Sequence, residues 1–217
     1  MAISLSERAY NDIRRMIVRL ELPPGSVVRE ETLQEAIGTG RTPIREALQR
    51  LVRDQFVTVI PRRGVYVSNI DVSELSTLYE TRAILEPYAT RLAAVRGREE
   101  HWAEMTAALD LATPSTPALD LIEVDRQCHE IVWRAADNRF LTDTLDMLYA
   151  QSDRLWHMYL ADVDDMADAV AEHRGILHAL RAGDADRAAD LVEAHVRAFD
   201  DQVRGAVRKR LESPLAG

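Results

Sequence analysis

Apolar residues recur along this chain at two periods, and the change between them divides it. Ala9, Ile13, Met16, Ile17 and Leu20 fall at helical spacing and predict a first helix over residues 5–20. Leu22-Pro23-Pro24-Gly25 breaks it. A short helix is expected over about 30–37, ending at Gly38, and Gly38-Thr39-Gly40-Arg41 forms a tight turn. A third helix is expected over about 42–54. Thr42 would cap it, and Pro43 would take the first position, where its missing N–H costs no bond. Ile44, Ala47, Leu48, Leu51 and Val52 would be its buried face. After Gln55 the period drops to two. Phe56-Val57-Thr58-Val59-Ile60 and Val65-Tyr66-Val67 flank Pro61-Arg62-Arg63-Gly64, which reads as a β-hairpin with a basic tip. Three helices followed by a hairpin describe a winged helix-turn-helix over residues 1–70.

From residue 71 onward no strand pattern is convincing. One long helix is expected over 71–97, with Leu75, Leu78, Tyr79, Arg82, Leu85, Ala89 and Leu92 on one face. A second, over about 99–112, stops before Pro114 and Pro117. Four more are expected near 118–136, 139–161, 165–182 and 184–210, with breaks at Asn138, Asp162 and Gly183. Six helices on short connections make an antiparallel all-α bundle over 71–217. The fold class is therefore mainly α, in two domains.

Net charge, −9 over 217 residues, argues against nucleic acid only when it is averaged. Residues 1–70 hold 11 arginines against 8 acids, a net of +3, and the remainder carries −12. A local positive surface is enough for phosphate contact. Cys128 is the only cysteine, so no internal disulfide is possible, which suits a reducing cytoplasm. No secretory signal and no membrane span is expected from the sequence.

In a helix-turn-helix the first residues of the second helix meet base edges. Here they are Arg41-Thr42-Pro43-Ile44-Arg45-Glu46. An arginine fork can donate two bonds to guanine O6 and N7. Arg41 and Arg45, four residues apart, point from one side. Arg62 and Arg63 at the wing tip are candidates for the minor groove or phosphates, and Gly64 lets backbone approach closely.

The run Pro23-Pro24-Gly25, Glu30, Leu33, then Gly40-Arg41-Thr42-Pro43-Ile44-Arg45-Glu46-Ala47-Leu48, Leu51 and Gly64-Val65-Tyr66-Val67 resembles the DNA-binding domain of the GntR family of bacterial regulators. The likeness covers residues 5–68. It implies operator contacts by Arg41, Thr42, Arg45 and Gly64. Two positions depart from the pattern. Gly40 stands where the family has Ser or Thr, and Gln55 where it has Gly before the first wing strand.

The second half places polar residues where apolar ones belong. Asp125 and His129 lie one turn apart in the stripe Leu121, Ile122, Asp125, Cys128, His129, Val132, Trp133, Ala136. His173 falls within Met166, Ala169, Val170, Ile176, Leu177, Leu180, and His195 within Ala188, Leu191, Val192, Phe199. A lone histidine on such a face is commonly a satisfied core residue. Three helices that each turn imidazole or carboxylate inward suggest a shared divalent cation instead. Zinc leads, with nickel, manganese or iron also compatible. His101, His157 and His178 share no inner stripe and read as surface or local packing residues. Arg82, between Tyr79 and Leu85, also lies on an inner stripe and needs an anion. That anion is either Glu86 or another acidic side chain, or the carboxylate of an effector, with Tyr79 beside it.

The Arg82…Glu86 helix, Asp125-x-x-x-His129, Asn138 and the His173 and His195 helices resemble the FCD ligand-binding domain of the FadR subfamily of GntR regulators, in its shorter, six-helix (VanR-like) variant. The resemblance implies a metal at Asp125, His129, His173 and His195. It also implies a small organic-acid effector and a cytoplasmic homodimer on a palindromic double-stranded operator, with repression as the commoner arrangement. No enzymatic activity is expected. The alternatives are a metalloenzyme with an accessory winged helix, in which Glu86 or Glu130 would be the base, and a regulator that senses the ion itself.

Overall fold

The computed structural model describes residues 3–159 and 167–212, so the expected break at Asp162 and the stripe position Met166 lie outside the described residues. The chain divides into two compact units between Val72 and Ser73.

The first unit runs α1 (Leu5–Val18), β1 (Val27–Val28), α2 (Glu30–Ile37), α3 (Arg41–Arg53), β2 (Val57–Ile60) and β3 (Gly64–Val67). Ser4 caps α1 by accepting the Glu7 N–H at 3.1 Å. That helix stops before Leu20, whose φ of 58° turns the chain toward Pro23. Gly38, at φ 70°, closes α2 in the left-handed conformation that glycine adopts without steric cost.

The start of α3 corrects the expected cap. Gly40 is the N-cap, in extended backbone and with no side-chain bond, so Arg41, Thr42 and Pro43 are the first three helical residues. Pro43 still loses nothing, because none of the first N–H groups of a helix has an intrahelical acceptor. The Ile44 N–H makes the first bond, to the Gly40 carbonyl at 3.5 Å. Thr42 is released from capping and stands exposed. Val52 is also corrected. Ile44, Ala47, Leu48 and Leu51 are buried, but Val52 lies about 100° further round the helix and is 37% exposed.

The sheet order is β1-β3-β2, antiparallel throughout, with Val27 opposite Tyr66 and Ile60 opposite Gly64. At two residues, β1 is too short to show an alternating pattern. Arg63 N–H donates to the Ile60 carbonyl at 3.0 Å and closes the wing turn. Pro61 takes its second position and Arg62 its third, with φ 64°. Gly64 follows at φ 110°. Gln55 is left-handed too, at φ 63°, which is the physical reason a glycine suits that site. Ala9, Ile13, Ile17, Leu33, Ile44, Leu51 and Phe56 make the core.

A 3-10 turn (Val72–Glu74) spans the boundary, and the second unit continues with α4 (Leu75–Arg96), α5 (Glu99–Asp110), α6 (Ala118–Ala135), α7 (Arg139–Tyr159), α8 (Ala167–Arg181) and α9 (Ala185–Glu212). No strand occurs among its described residues. The expected helix start at Asp71 moves to Leu75. Leu75, Tyr79, Arg82 and Ala89 are buried as expected, while Leu78, Leu85 and Leu92 are only half-buried. Ala89 and Ala93 on α4, and Ala188 and Ala189 on α9, are fully buried. Helices α4 and α9, the two longest of the unit, pack against each other. No described helix is long and apolar enough to cross a membrane.

Candidate metal centre and nucleic-acid interface

Helix α3 presents Arg41, Thr42 and Arg45 exposed near its N-terminus, with Pro43 half-buried. Glu30, the first residue of α2, holds the arginines in place. Arg45 Nε donates to both Glu30 carboxylate oxygens, at 3.0 and 2.9 Å, and Arg41 Nε lies 3.8 Å from Oε2. Both arginine side chains are 58% exposed. Ion pairs this open to solvent contribute about 0–1 kcal/mol and exchange readily for a phosphate or a base. Arg50, further along α3, serves the fold instead. It pairs with Glu7 at 2.5 Å and lies 4.0 Å over the Tyr10 ring, tying α3 to α1. Arg62, Arg63 and Gly64 stand exposed at the wing tip.

In the helical unit Asp125 and His129 from α6, His173 from α8 and His195 from α9 converge. Each is buried, and one donor atom from each lies within 4.8 Å of the others. The rings stack edge-on or tilted, with centroids 4.4 Å apart for His173 and His195, and 5.1 and 5.2 Å for His129 against each.

Each imidazole has its Nδ1 committed to an acceptor. His129 Nδ1 lies 2.7 Å from Glu86 Oε2, His195 Nδ1 is 2.6 Å from Glu172 Oε2, and His173 Nδ1 is 2.9 Å from the Ala169 carbonyl. A carbonyl and an ionised carboxylate only accept, so Nδ1 carries a proton in His173 and His195; His129 Nδ1 is in ion-pair range of Glu86 Oε2, which itself accepts no well-formed hydrogen bond. With Nδ1 so engaged, Nε2 is the atom each ring can offer to a cation once it carries no proton. The Nε2 atoms of His129 and His195 face each other at 3.2 Å, and His195 Nε2 lies 3.3 Å from Asp125 Oδ1. Asp125 Oδ2 accepts the Tyr149 hydroxyl at 2.6 Å, while Oδ1 is buried without a well-formed hydrogen bond. Lone pairs directed at one another around an under-coordinated carboxylate oxygen are costly unless a proton or a cation lies between them. The donor set fits a divalent metal, with outer acceptors of the kind that orient histidine ligands.

Electrostatics follow the same geometry. Burial raises the cost of charge on Asp125, but His129, His195 and His173 outweigh it and hold the carboxyl well below the usual range. Burial pushes His173 down to about 3. It would push His195 down too, yet the bonds to Asp125 and Glu172 prevail and raise that ring to about 9. Glu86 is held down to about 2 by Arg82 and His129 against its own burial.

Arg82 donates from Nε to Glu86 Oε1 at 2.6 Å, with 2% and 1% of the two side chains exposed. It therefore reaches the cluster through Glu86. Tyr79 lies beside it, its ring 5.5 Å from the guanidinium, and burial pushes its phenol up to about 12. A small cavity bounded by Glu86, Thr90, His129, Trp133, His173 and Val192 has room for about one water molecule. Glu130 is not at the site, since it pairs with Arg126 on the outer side of α6. His101 bonds the Arg98 N–H and His157 bonds Asp153, both locally, and His178 is exposed.

Sequence reading missed Tyr149 and Glu172 and placed Glu86 only in part. Tyr149 lies on a helix from which no polar residue was singled out. Glu172 adjoins His173 in sequence and so points off that stripe, toward α9. Glu86 was read as a partner of Arg82, and its second oxygen on His129 could not be foreseen. A carboxylate one turn beyond a buried arginine was the one available signal.

A winged helix followed by a helical unit with a buried polar cluster is the organisation of a DNA-binding regulator with a sensor domain. Residues 5–67 match the family described as bacterial regulatory proteins, gntR family, and residues 77–198 match the FCD domain. The chain belongs to the GntR family, with an FCD domain behind its winged helix. It is 25% identical over 203 residues to the HTH-type transcriptional repressor RspR of Escherichia coli K12, covering 92% of this chain and 89% of that one. It is 29% identical over 198 residues to the Nta operon transcriptional regulator of Aminobacter aminovorans, covering 88% and 93%. The solved structure of E. coli McbR/YncC shares the fold, with a TM-score of 0.81 at 22% identity over 97% of this chain and all of that one. The protein is a DNA-binding transcriptional regulator and not an enzyme, so the metalloenzyme alternative falls.

Proposed function

We propose that this regulator is a cytoplasmic homodimeric repressor whose hold on a palindromic operator is controlled at a metal centre in residues 71–217. In this reading residues 1–70 bind DNA. Arg41, Thr42, Pro43 and Arg45 enter the major groove, and Arg62, Arg63 and Gly64 contact the backbone or minor groove. Asp125, His129, His173 and His195 hold a divalent ion, zinc foremost. Bound there, the ion would supply a Lewis-acidic point for a carboxylate oxygen of a small organic-acid effector. Arg82, flanked by Tyr79, would meet the remaining negative charge.

One observation carries the metal reading. His195 and His173 bond outward through Nδ1 and His129 Nδ1 lies 2.7 Å from Glu86 Oε2, while His195 Nε2 lies 3.2 Å from His129 Nε2 and 3.3 Å from Asp125 Oδ1. An effector larger than water requires the small cavity to open, and that opening is the differential contact by which a ligand shifts a conformational equilibrium.

The test is metal analysis of the purified protein, followed by operator binding with and without a panel of small carboxylates. One equivalent of metal per chain, and a carboxylate that lowers operator affinity, support the reading. Metal-free protein with full, regulated operator binding overturns it. The size of the cavity favours a second reading, in which the ion itself is the signal. Operator affinity that follows zinc concentration and ignores every carboxylate would establish that one.

A further inference from the structure

The four candidate ligands are not positioned independently of Arg82. Its guanidinium lies fully buried on α4 between two groups that each hold one ligand. On one side Glu86 receives Arg82 Nε with Oε1 at 2.6 Å and faces His129 Nδ1 with Oε2 at 2.7 Å. On the other side the guanidinium carbon lies 5.0 Å from the centre of the Tyr149 ring, whose hydroxyl donates to Asp125 Oδ2 at 2.6 Å. Three helices, α4, α6 and α7, thus meet in one buried network.

We propose that Arg82, Glu86 and Tyr149 form an outer shell that orients two of the four metal ligands, His129 and Asp125, and so sets the affinity of the site. This rests on the metal reading given under Proposed function. Each member has a separate task. Glu86, with Oε2 in ion-pair range of His129 Nδ1, favours a proton on that nitrogen and so leaves Nε2 to the ion. A carboxylate accepting Nδ1–H also makes Nε2 a stronger donor to a cation. Tyr149 occupies one oxygen of Asp125, so only Oδ1 is left for the ion. Arg82 neutralises Glu86, which would otherwise be an uncompensated buried charge, and fixes its place beside His129. Glu86, Tyr149 and Arg82 are positioning residues and none is a ligand.

The outer shell also gives Arg82 a role that needs no effector. An arginine reserved for an effector carboxylate would leave metal affinity unchanged when replaced. An arginine acting through Glu86 and Tyr149 would change it in the absence of any organic ligand.

The experiment uses the full chain and cobalt(II) alone as probe, because its visible ligand-field bands report the geometry of the bound ion. Three variants are titrated beside wild type: Glu86→Gln, Tyr149→Phe, and the double Arg82→Met/Glu86→Gln. The double removes the ion pair whole and leaves no lone buried charge, so it decides the matter if Glu86→Gln fails to fold. Glu104→Gln, which breaks an exposed pair with Arg134, is the control. The expected result is a 10–100-fold weaker cobalt affinity in Glu86→Gln and in the double variant. The visible bands of the saturated proteins should shift, and the metal-free variants should keep their circular dichroism. Wild-type affinity and an unchanged spectrum in folded Glu86→Gln, or in the double variant where the single is unfolded, would overturn the outer shell and leave the metal site standing. Failure of wild-type protein to bind cobalt at all would overturn the metal reading and the outer shell with it.

Discussion

His129 on α6 and His195 on α9, 66 residues apart in sequence, face each other Nε2 to Nε2 at 3.2 Å. With both Nδ1 atoms turned to Glu86 and Glu172, that contact is between two acceptors unless a proton or a cation intervenes. The double substitution His173→Ala/His195→Ala removes two of the four donors. Elemental analysis should then find no stoichiometric metal, while wild-type protein carries one equivalent per chain. Full retention by the double variant would mean that other residues are the ligands.

The first unit was legible in the sequence because its signals are local. The apolar spacing from Ile13 to Leu51, the break at Pro23-Pro24-Gly25 and the change of period after Gln55 each need only neighbouring residues. The error at the start of α3 has the same origin. Thr42 is the better capping residue, but the extended backbone of Gly40 takes the cap and draws the helix back to Arg41. The four inward polar residues of the second unit were found as interruptions of stripes, because a buried Asp or His stands out against Leu and Val. Their partners were not, since Glu86, Tyr149 and Glu172 meet the histidines only through packing between helices. Leu78, Leu85 and Leu92 were overrated for the same reason. Helical period marks the apolar side of α4, but which part of it is covered depends on the helices packed against it, α9 among them.

Metal uptake should release close to one proton per ion near neutral pH. In the metal-free protein His195 is raised to about 9, so it is protonated at neutral pH and must lose that proton to coordinate. His173, lowered to about 3, and Asp125, held well below the usual range, are already in their binding forms. Affinity should therefore climb roughly tenfold per pH unit between about pH 6 and 8 and level off above about 9. Calorimetry in buffers of different ionisation enthalpy measures the proton directly. A pH-independent affinity with no buffer dependence would contradict it.

Arg45→Ala should weaken specific operator binding by about 1–3 kcal/mol if the fork reads a base. The same change should hardly touch the fold. Arg45 is 58% exposed and its link to Glu30 is a solvent-accessible ion pair, so stability should move by less than about 1 kcal/mol. Fluorescence anisotropy on specific and scrambled duplexes, beside urea unfolding, separates the two effects. A loss of equal size on both duplexes would make Arg45 a phosphate contact.

Gln55 adopts φ 63°, a conformation that costs a residue with a side chain about 1–2 kcal/mol. Gln55→Gly removes that cost but widens the unfolded ensemble by about 0.5–1 kcal/mol. The net gain should be up to about 1 kcal/mol, read as a higher urea midpoint for the winged helix. A lower midpoint would mean that the Gln55 side chain contributes contacts that outweigh its backbone strain.

Arg62 carries the same left-handed strain at the wing tip, with φ 64°, in an exposed side chain that the fold does not require. Strained backbone residues cluster at functional sites, which fits the proposed DNA contact of Arg62. Arg62→Gly should therefore raise stability by an amount similar to Gln55→Gly while weakening operator binding. If Arg62 neutralises a phosphate, the loss should be much the same on specific and nonspecific duplexes. The slope of log affinity against log salt should also become shallower by about one for each wing that touches DNA. Titrations at several salt concentrations measure that slope. An unchanged slope with unchanged affinity would remove Arg62 from the interface and leave Arg63 as the wing's candidate contact.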